Sequence, residues 1–282
     1  MVAWLVFLAL ALCPIASSWA NTDSVITGSA GTINSCITCH SDRLSAYVCS
    51  SAALQGEQLR CVWCHRGNAA TSRKDLAHNN LIGKDYANYR LPESDFIASG
   101  IKWVDSMACR RCHVQNKLGN HLATNLDQLL DRALISEIER AIAVPAFYMP
   151  DFVLNGSVLQ AVITQVLAGG SVYKVGQVGA PVVVHFADNV DHDTLFEKHC
   201  GSCHRVLTAR HGGLGVGEQG PNLSGLFSKF YPANALNNQA WTDAGLRDWI
   251  KNPRKIRLLT TMPPLVLDEL VVKQLIDDTW AE

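Results

Sequence analysis

Charge is scarce in this 282-residue chain and neither sign prevails: 24 Lys and Arg face 25 Asp and Glu. Without a basic excess there is no electrostatic footprint for the phosphates of nucleic acid, and a nucleic-acid role finds no support. Long apolar runs are also missing. After Ala20 no stretch approaches the roughly 20 apolar residues that a bilayer-spanning helix needs, so no transmembrane span is expected there. The chain has no Ser-His-Asp set, no paired carboxylates and no phosphate-binding loop, which removes the usual starting points for hydrolytic and phosphoryl chemistry. A disulfide framework is excluded by the way the cysteines are used. Of nine beyond residue 20, eight belong to one recurring pentapeptide and Cys49 stands alone, where it reads as a small buried filler.

The first twenty residues are a different matter. Met1 to Ala20 carry no charged side chain and hold the apolar run from Val2 to Leu12. That run is short for a span and is followed by Ser18-Trp19-Ala20, a small-x-small cleavage pattern, so residues 1–20 read as a signal peptide and the mature chain as starting at Asn21. Two alternatives stay open. Cys13 invites lipidation, against which bulky Leu12 counts, and the missing basic start leaves uncleaved anchoring. Export predicts a periplasmic or otherwise external location.

The recurring pentapeptide is Cys-x-x-Cys-His, found at Cys36 to His40, Cys61 to His65, Cys109 to His113 and Cys200 to His204. Ten Cys and ten His placed at random in a chain of this length yield on the order of 0.01 such pentapeptides. Thiols at i and i+3 lie on one face of a helical turn, where both can add to the vinyl groups of one porphyrin while the adjoining His turns toward the iron. A zinc knuckle and a thioredoxin-type pair are the alternatives for Cys-x-x-Cys. Zinc wants cysteines converging in fours, and a redox pair has no need of His at the fifth position four times over. The expectation is four covalently bound haem c groups. Cys36, Cys39, Cys61, Cys64, Cys109, Cys112, Cys200 and Cys203 supply the thioethers, and His40, His65, His113 and His204 the proximal ligands. The haem propionates make the loaded protein more acidic than its formal charge of −1.

An internal repeat is visible at an offset of 113 residues. Met149-Pro150-Asp151-Phe152-Val153-Leu154-Asn155 aligns without a gap on Met262-Pro263-Pro264-Leu265-Val266-Leu267-Asp268. Both lead into amphipathic helices, in which Val158, Leu159, Val162, Ile163, Val166 and Leu167 stand against Val271, Val272, Leu275, Ile276, Thr279 and Trp280. Asn155 and Asp268 are suitable N-caps for them.

Residues 191–282 resemble a class I cytochrome c domain. The matching residues are Thr194 to His199 running into Cys200-Gly201-Ser202-Cys203-His204, Gly220-Pro221-Asn222-Leu223-Ser224-Gly225-Leu226, the aromatic helix Ala244 to Pro253, Thr261-Met262-Pro263-Pro264 and a final helix. Residues 93–170 look like a degenerate second copy, with Trp103 to Ala108 ahead of Cys109, Thr124-Asn125-Leu126 in place of Pro-Asn-Leu, and Met149-Pro150. This copy lacks the Gly-Pro of the loop and is shorter between His and Met. The resemblance implies Met262 as distal ligand of the His204 iron and Met149 of the His113 iron. Taken whole, the chain resembles a tetrahaem c-type cytochrome of bacterial respiration.

The expected fold is mainly α: a haem-packed dihaem segment over 21–92, a monohaem module over 93–170, a linker over 171–190 with one strand around Val182-Val183-Val184, and a class I cytochrome c domain over 191–282. The segment 21–92 has few periodic apolar residues, so its haems must form much of its core. His78 and His121 are assigned as distal ligands to the irons of His40 and His65, in either pairing. His185, His192 and His199 are weaker candidates, and His211 belongs to an exposed Gly-rich loop.

Ligation by two protein groups at every iron suits a relay of single electrons between respiratory partners, such as other cytochromes or quinol-oxidising complexes. Bis-His irons at the N-terminal end have lower potentials than His/Met irons, so electrons run toward Met262. Two further classes compete. One is a haem enzyme, peroxidase or oxyanion reductase, with one open iron; the other is an electron-transfer subunit of a larger cytochrome complex, in metal or selenite and tellurite reduction.

Overall fold

The computed structural model describes residues 34–41, 61–172 and 193–280. The signal-peptide reading of 1–20, the lone Cys13 and Cys49, the strand expected at Val182-Val183-Val184, and His185 and His192 lie outside the described residues. The chain divides into two compact units, the first ending at Leu81 and the second beginning at Ile82.

In the first unit, α1 (Ser35–His40) and α2 (Cys61–His65) are single helical turns, each made by a Cys-x-x-Cys-His pentapeptide. Asn34 caps α1, its side chain accepting from the Cys36 N–H at 3.1 Å. The Ser35 N–H donates to the Ala69 carbonyl at 2.9 Å, tying the start of α1 to the loop after α2. That loop doubles back onto α3 (Lys74–Ala77), where the Asn68 N–H donates to the Ala77 carbonyl. Gly67 makes the reversal: its φ is +73°, and a Cβ there would sit 2.5 Å from the Ala77 oxygen. None of the described residues in this unit is buried.

The second unit is mainly helical. Its first half contains α4 (Asp95–Ser106), α5 (Leu129–Arg132), α6 (Ile135–Ala143) and α7 (Gly156–Ser171). Every residue of α7 from Ala161 to Leu167 is buried, as befits a helix apolar on most of its circumference. It packs on α4, where Gly100 allows the crossing: a Cβ there would lie 2.2 Å from the Ala161 carbonyl. Ile82, Tyr89, Leu130, Ile138, Ile163 and Leu167 form one buried cluster. The Tyr86 hydroxyl donates to the Glu139 carboxylate at 2.5 Å, pinning α6 across it.

The second half runs α8 (Leu195–His199), β1 (Val206–Thr208), β2 (Gly212–Leu214), α9 (Asp243–Lys251), α10 (Pro253–Ile256) and α11 (Glu269–Trp280). The Thr194 side chain caps α8 and the Thr242 side chain caps α9. Phe196 of α8 meets Trp280 of α11 edge to face, ring centroids 6.1 Å apart, over a core that includes Val206, Leu214, Leu226, Leu246, Ile250 and Leu275. The antiparallel hairpin, with Val206 opposite Leu214, is not foreshadowed by periodicity, because three-residue strands rich in glycine carry no alternating pattern. It also removes His211 from full exposure: the tip folds onto α11, and the ring nitrogen Nε2 meets the Asp278 carboxylate at 3.0 Å.

The 113-residue offset persists in three dimensions. Helix α7 begins at Gly156 and α11 at Glu269, and the buried positions Val162, Ile163 and Val166 correspond to the buried Leu275, Ile276 and Thr279. Among the described residues no helix is long and apolar enough to cross a membrane.

Candidate metal centres

The third and fourth pentapeptides close into the same turn. The His113 N–H donates to the Cys109 carbonyl at 3.0 Å, and the His204 N–H to the Cys200 carbonyl at 2.9 Å. After each turn the chain returns along its own path. Leu126 donates to the carbonyl of Val114, next to His113, and Leu223 to that of Arg205, next to His204. A glycine permits the return in both: a Cβ at Gly119 would lie 1.9 Å from the His113 carbonyl, and one at Gly215 2.1 Å from the His204 carbonyl.

That return path delivers a carbonyl to each ring. His113 Nδ1 donates to the Thr124 oxygen at 2.7 Å and His204 Nδ1 to the Pro221 oxygen at 2.8 Å. A backbone carbonyl accepts only, so the proton is placed on Nδ1 and the Nε2 lone pair faces away, ready for a metal. Burial holds the His113 imidazole below its ordinary pKa, against the Thr124 hydrogen bond, and so favours the neutral ring that a metal takes. Gly220 presses on the other ring, where a Cβ would come within 2.1 Å of His204 Cε1. The carbonyl anchors of His113 and His204 escape a sequence reading because a backbone oxygen has no residue type. The shared x-Asn-Leu segments were the only available signal.

Burial pushes the Cys109 thiol up to about 11 and the Cys200 thiol up to about 12, and raises Cys112 as well. An attacking thiolate needs the opposite shift, so these pairs are poor candidates for thioredoxin-type exchange. Among the described residues no three His, Cys, Asp or Glu side chains converge into a metal-binding group, and the four-cysteine cluster of a structural zinc site does not form there.

In the first unit the rings of His40 and His78 lie 6.0 Å apart, centroid to centroid, with planes 21° from parallel. The two rings stack on one another. The pair is brought together by the fold-back of α3, which has His78 as its C-cap. Cys36, Cys39, Cys61, Cys64 and His65 occupy their helical turns, with Cys36 raised in pKa by burial. His121 is exposed in the second unit; its neighbours hug the third pentapeptide, with Asn120 donating to the Arg110 carbonyl and Leu122 to that of Cys112.

The methionines lie on loops before α7 and α11, both half-buried. Met262 Sδ accepts from Trp249 Nε1 at 2.9 Å, a contact with α9 that periodicity does not reveal. Around each methionine the loop exposes apolar side chains: Val144, Phe147 and Val153 beside Met149, and Leu258 (81 %), Leu259 (93 %) and Val266 (99 %) beside Met262. These large exposed apolar residues fall within the two short stretches of chain that carry the methionines. No family model, curated protein or solved structure matches this chain.

Proposed function

We propose that this protein is an exported c-type cytochrome that carries four covalent haems and relays single electrons between respiratory partner proteins. Support comes above all from the matched anchoring of His113 and His204: each ring sits behind a Cys-x-x-Cys turn with its Nδ1 proton committed to a backbone carbonyl and its Nε2 free. When bound, a haem supplies an iron that gains or loses one electron, and one with two protein ligands does so with little rearrangement.

The residues present fit that group. The cysteines of each pair stand three residues apart in a single turn. Exposed apolar side chains on the methionine loops match the apolar faces of a porphyrin, and the absence of buried residues among the described part of the first unit fits a segment that packs on its prosthetic groups. His78, Met149 and Met262 are proposed as second ligands of irons held by the proximal histidines, with His121 the fourth candidate. Closed coordination favours relay over an open catalytic iron.

Intact-mass measurement of the mature protein, produced with a functional c-type maturation system, tests the haem count. Four increments are expected, and three or fewer refute the count. The ferric spectrum then separates relay from catalysis: low-spin bands alone are expected, and a high-spin band speaks for an open iron.

A further inference from the structure

We propose that Arg111, one of the two intervening residues of the third pentapeptide, is a positioning residue for the fourth centre, holding the peptide whose carbonyl orients His204. The inference rests on the proposed reading of His204 as an iron ligand.

Both ends of Arg111 are engaged by the 221–225 loop. Its guanidinium donates from Nη1 to the Asn222 carbonyl at 3.1 Å and lies over the Tyr231 ring, 5.5 Å from the centroid. Its own carbonyl accepts from Asn120 Nδ2 at 2.9 Å and faces Gly225, where a Cβ would come within 2.5 Å. The Tyr231 hydroxyl donates to the same Asn222 carbonyl at 3.2 Å, so both lone pairs of that oxygen are taken. The Asn222 side chain is fixed as well: Nδ2 donates to the Tyr148 carbonyl at 2.8 Å, and Oδ1 accepts from the Ser224 N–H and hydroxyl. One residue before this clamp, the Pro221 carbonyl holds His204 Nδ1.

The third centre provides an internal control. At the corresponding Asn125, the carbonyl accepts from Gln128 N–H within its own turn, and the buried Nδ2 has no partner among the described residues. His113 is thus oriented by its own half of the unit, whereas the residue next to the carbonyl that orients His204 is held in part by groups from the other half. These two groups, Arg111 and the Tyr148 carbonyl, adjoin the third centre's own candidate ligand sets. The grip is returned from the fourth centre: the Arg205 guanidinium, next to His204, lies 4.5 Å from the Phe147 ring centroid and donates to the Phe147 carbonyl, on the loop that carries Met149.

The test follows the ring Nδ1–H protons of His204 and His113 by NMR in the haem-loaded protein. In Arg111→Gln, exchange of the His204 proton should accelerate at least about tenfold, the equivalent of one hydrogen bond to a charged group, while His113 is unchanged. Arg111→Lys keeps a cationic donor and should restore most of the protection. Tyr231→Phe removes only the second donor to Asn222 and should act in the same direction but less, and it decides the matter if Arg111→Gln does not fold. Unaltered exchange at His204 in these variants overturns the inference, and so does equal acceleration at both rings, which is general loosening. If the chain carries no covalent haem, the reading of the histidines as iron ligands fails; the same protons followed in the metal-free protein then decide the Arg111 clamp alone.

Discussion

At the scale of single residues, the chemistry of the candidate centres is decided by which atom of a side chain is left free. His113 and His204 each spend Nδ1 on a carbonyl, and that choice determines both tautomer and direction. Met262 is held by the Trp249 indole, which donates to its sulfur and limits where the thioether points. On the proposed reading, replacing Met262 by His should leave a folded protein and lower the potential of one haem, since imidazole donates more strongly to ferric iron than a thioether does. Potentiometric titration reads the shift, and the charge-transfer band typical of thioether-ligated ferric haem should weaken with it. If neither changes in Met262→His or in Met149→His, the methionines are not ligands.

Among elements, the crossing of α4 and α7 bears much of the first half's stability. Gly100 brings the helices to backbone contact, and Ile163 and Leu167 are fully buried on the far side of α7; burying such a side chain is worth about 1.5–3 kcal/mol. Gly100→Val should therefore destabilise by about 1–3 kcal/mol through overpacking. Calorimetry should register this as a fall of several degrees in Tm, and an unchanged Tm means that the crossing is looser than described. In the second half, α9 and α11 are linked by Arg247 and Lys251, which both reach Glu269. Chiefly through the Lys251 hydrogen bond, the Glu269 carboxyl is held below its ordinary value of 4.5. A depressed carboxyl contributes stability at pH values above the unfolded pKa and loses it as the pH falls through the folded one. The Tm gap between the native protein and Glu269→Gln should accordingly be small at neutral pH, shrink below pH 4.5 and close in high salt, because the pair is exposed.

For the whole molecule, the proposed relay and its catalytic alternative differ in whether any of the proposed irons accepts an outside ligand. If His78, His121, Met149 and Met262 close all four irons, carbon monoxide should bind the reduced protein at well under one equivalent, while electron exchange with a small redox partner stays fast. On that proposal His78→Ala should open one binding site, His78 being the candidate distal ligand whose ring packs on a proximal histidine, His40. Stoichiometric carbon monoxide binding to the native protein, accompanied by turnover of peroxide or nitrite, supports the enzyme reading instead.

The four pentapeptides, the helices after Met149 and Met262 and the mainly α character are legible in the sequence because each depends on residues within a few turns of one another. The matching starts of α7 and α11 belong to the same class, since a shared apolar pattern buries the same positions. What only the tertiary structure decided lies between residues far apart in the chain: the carbonyls behind His113 and His204, the approach of His78 to His40, the small β-hairpin that draws His211 onto Asp278, and the clamp of Arg111 on Asn222. Such contacts are set by where the backbone reverses, at Gly67, Gly119 and Gly215, and by oxygen atoms that every residue possesses. A side-chain pattern names the atoms capable of ligating a metal; the reversals of the chain determine which of them point the same way.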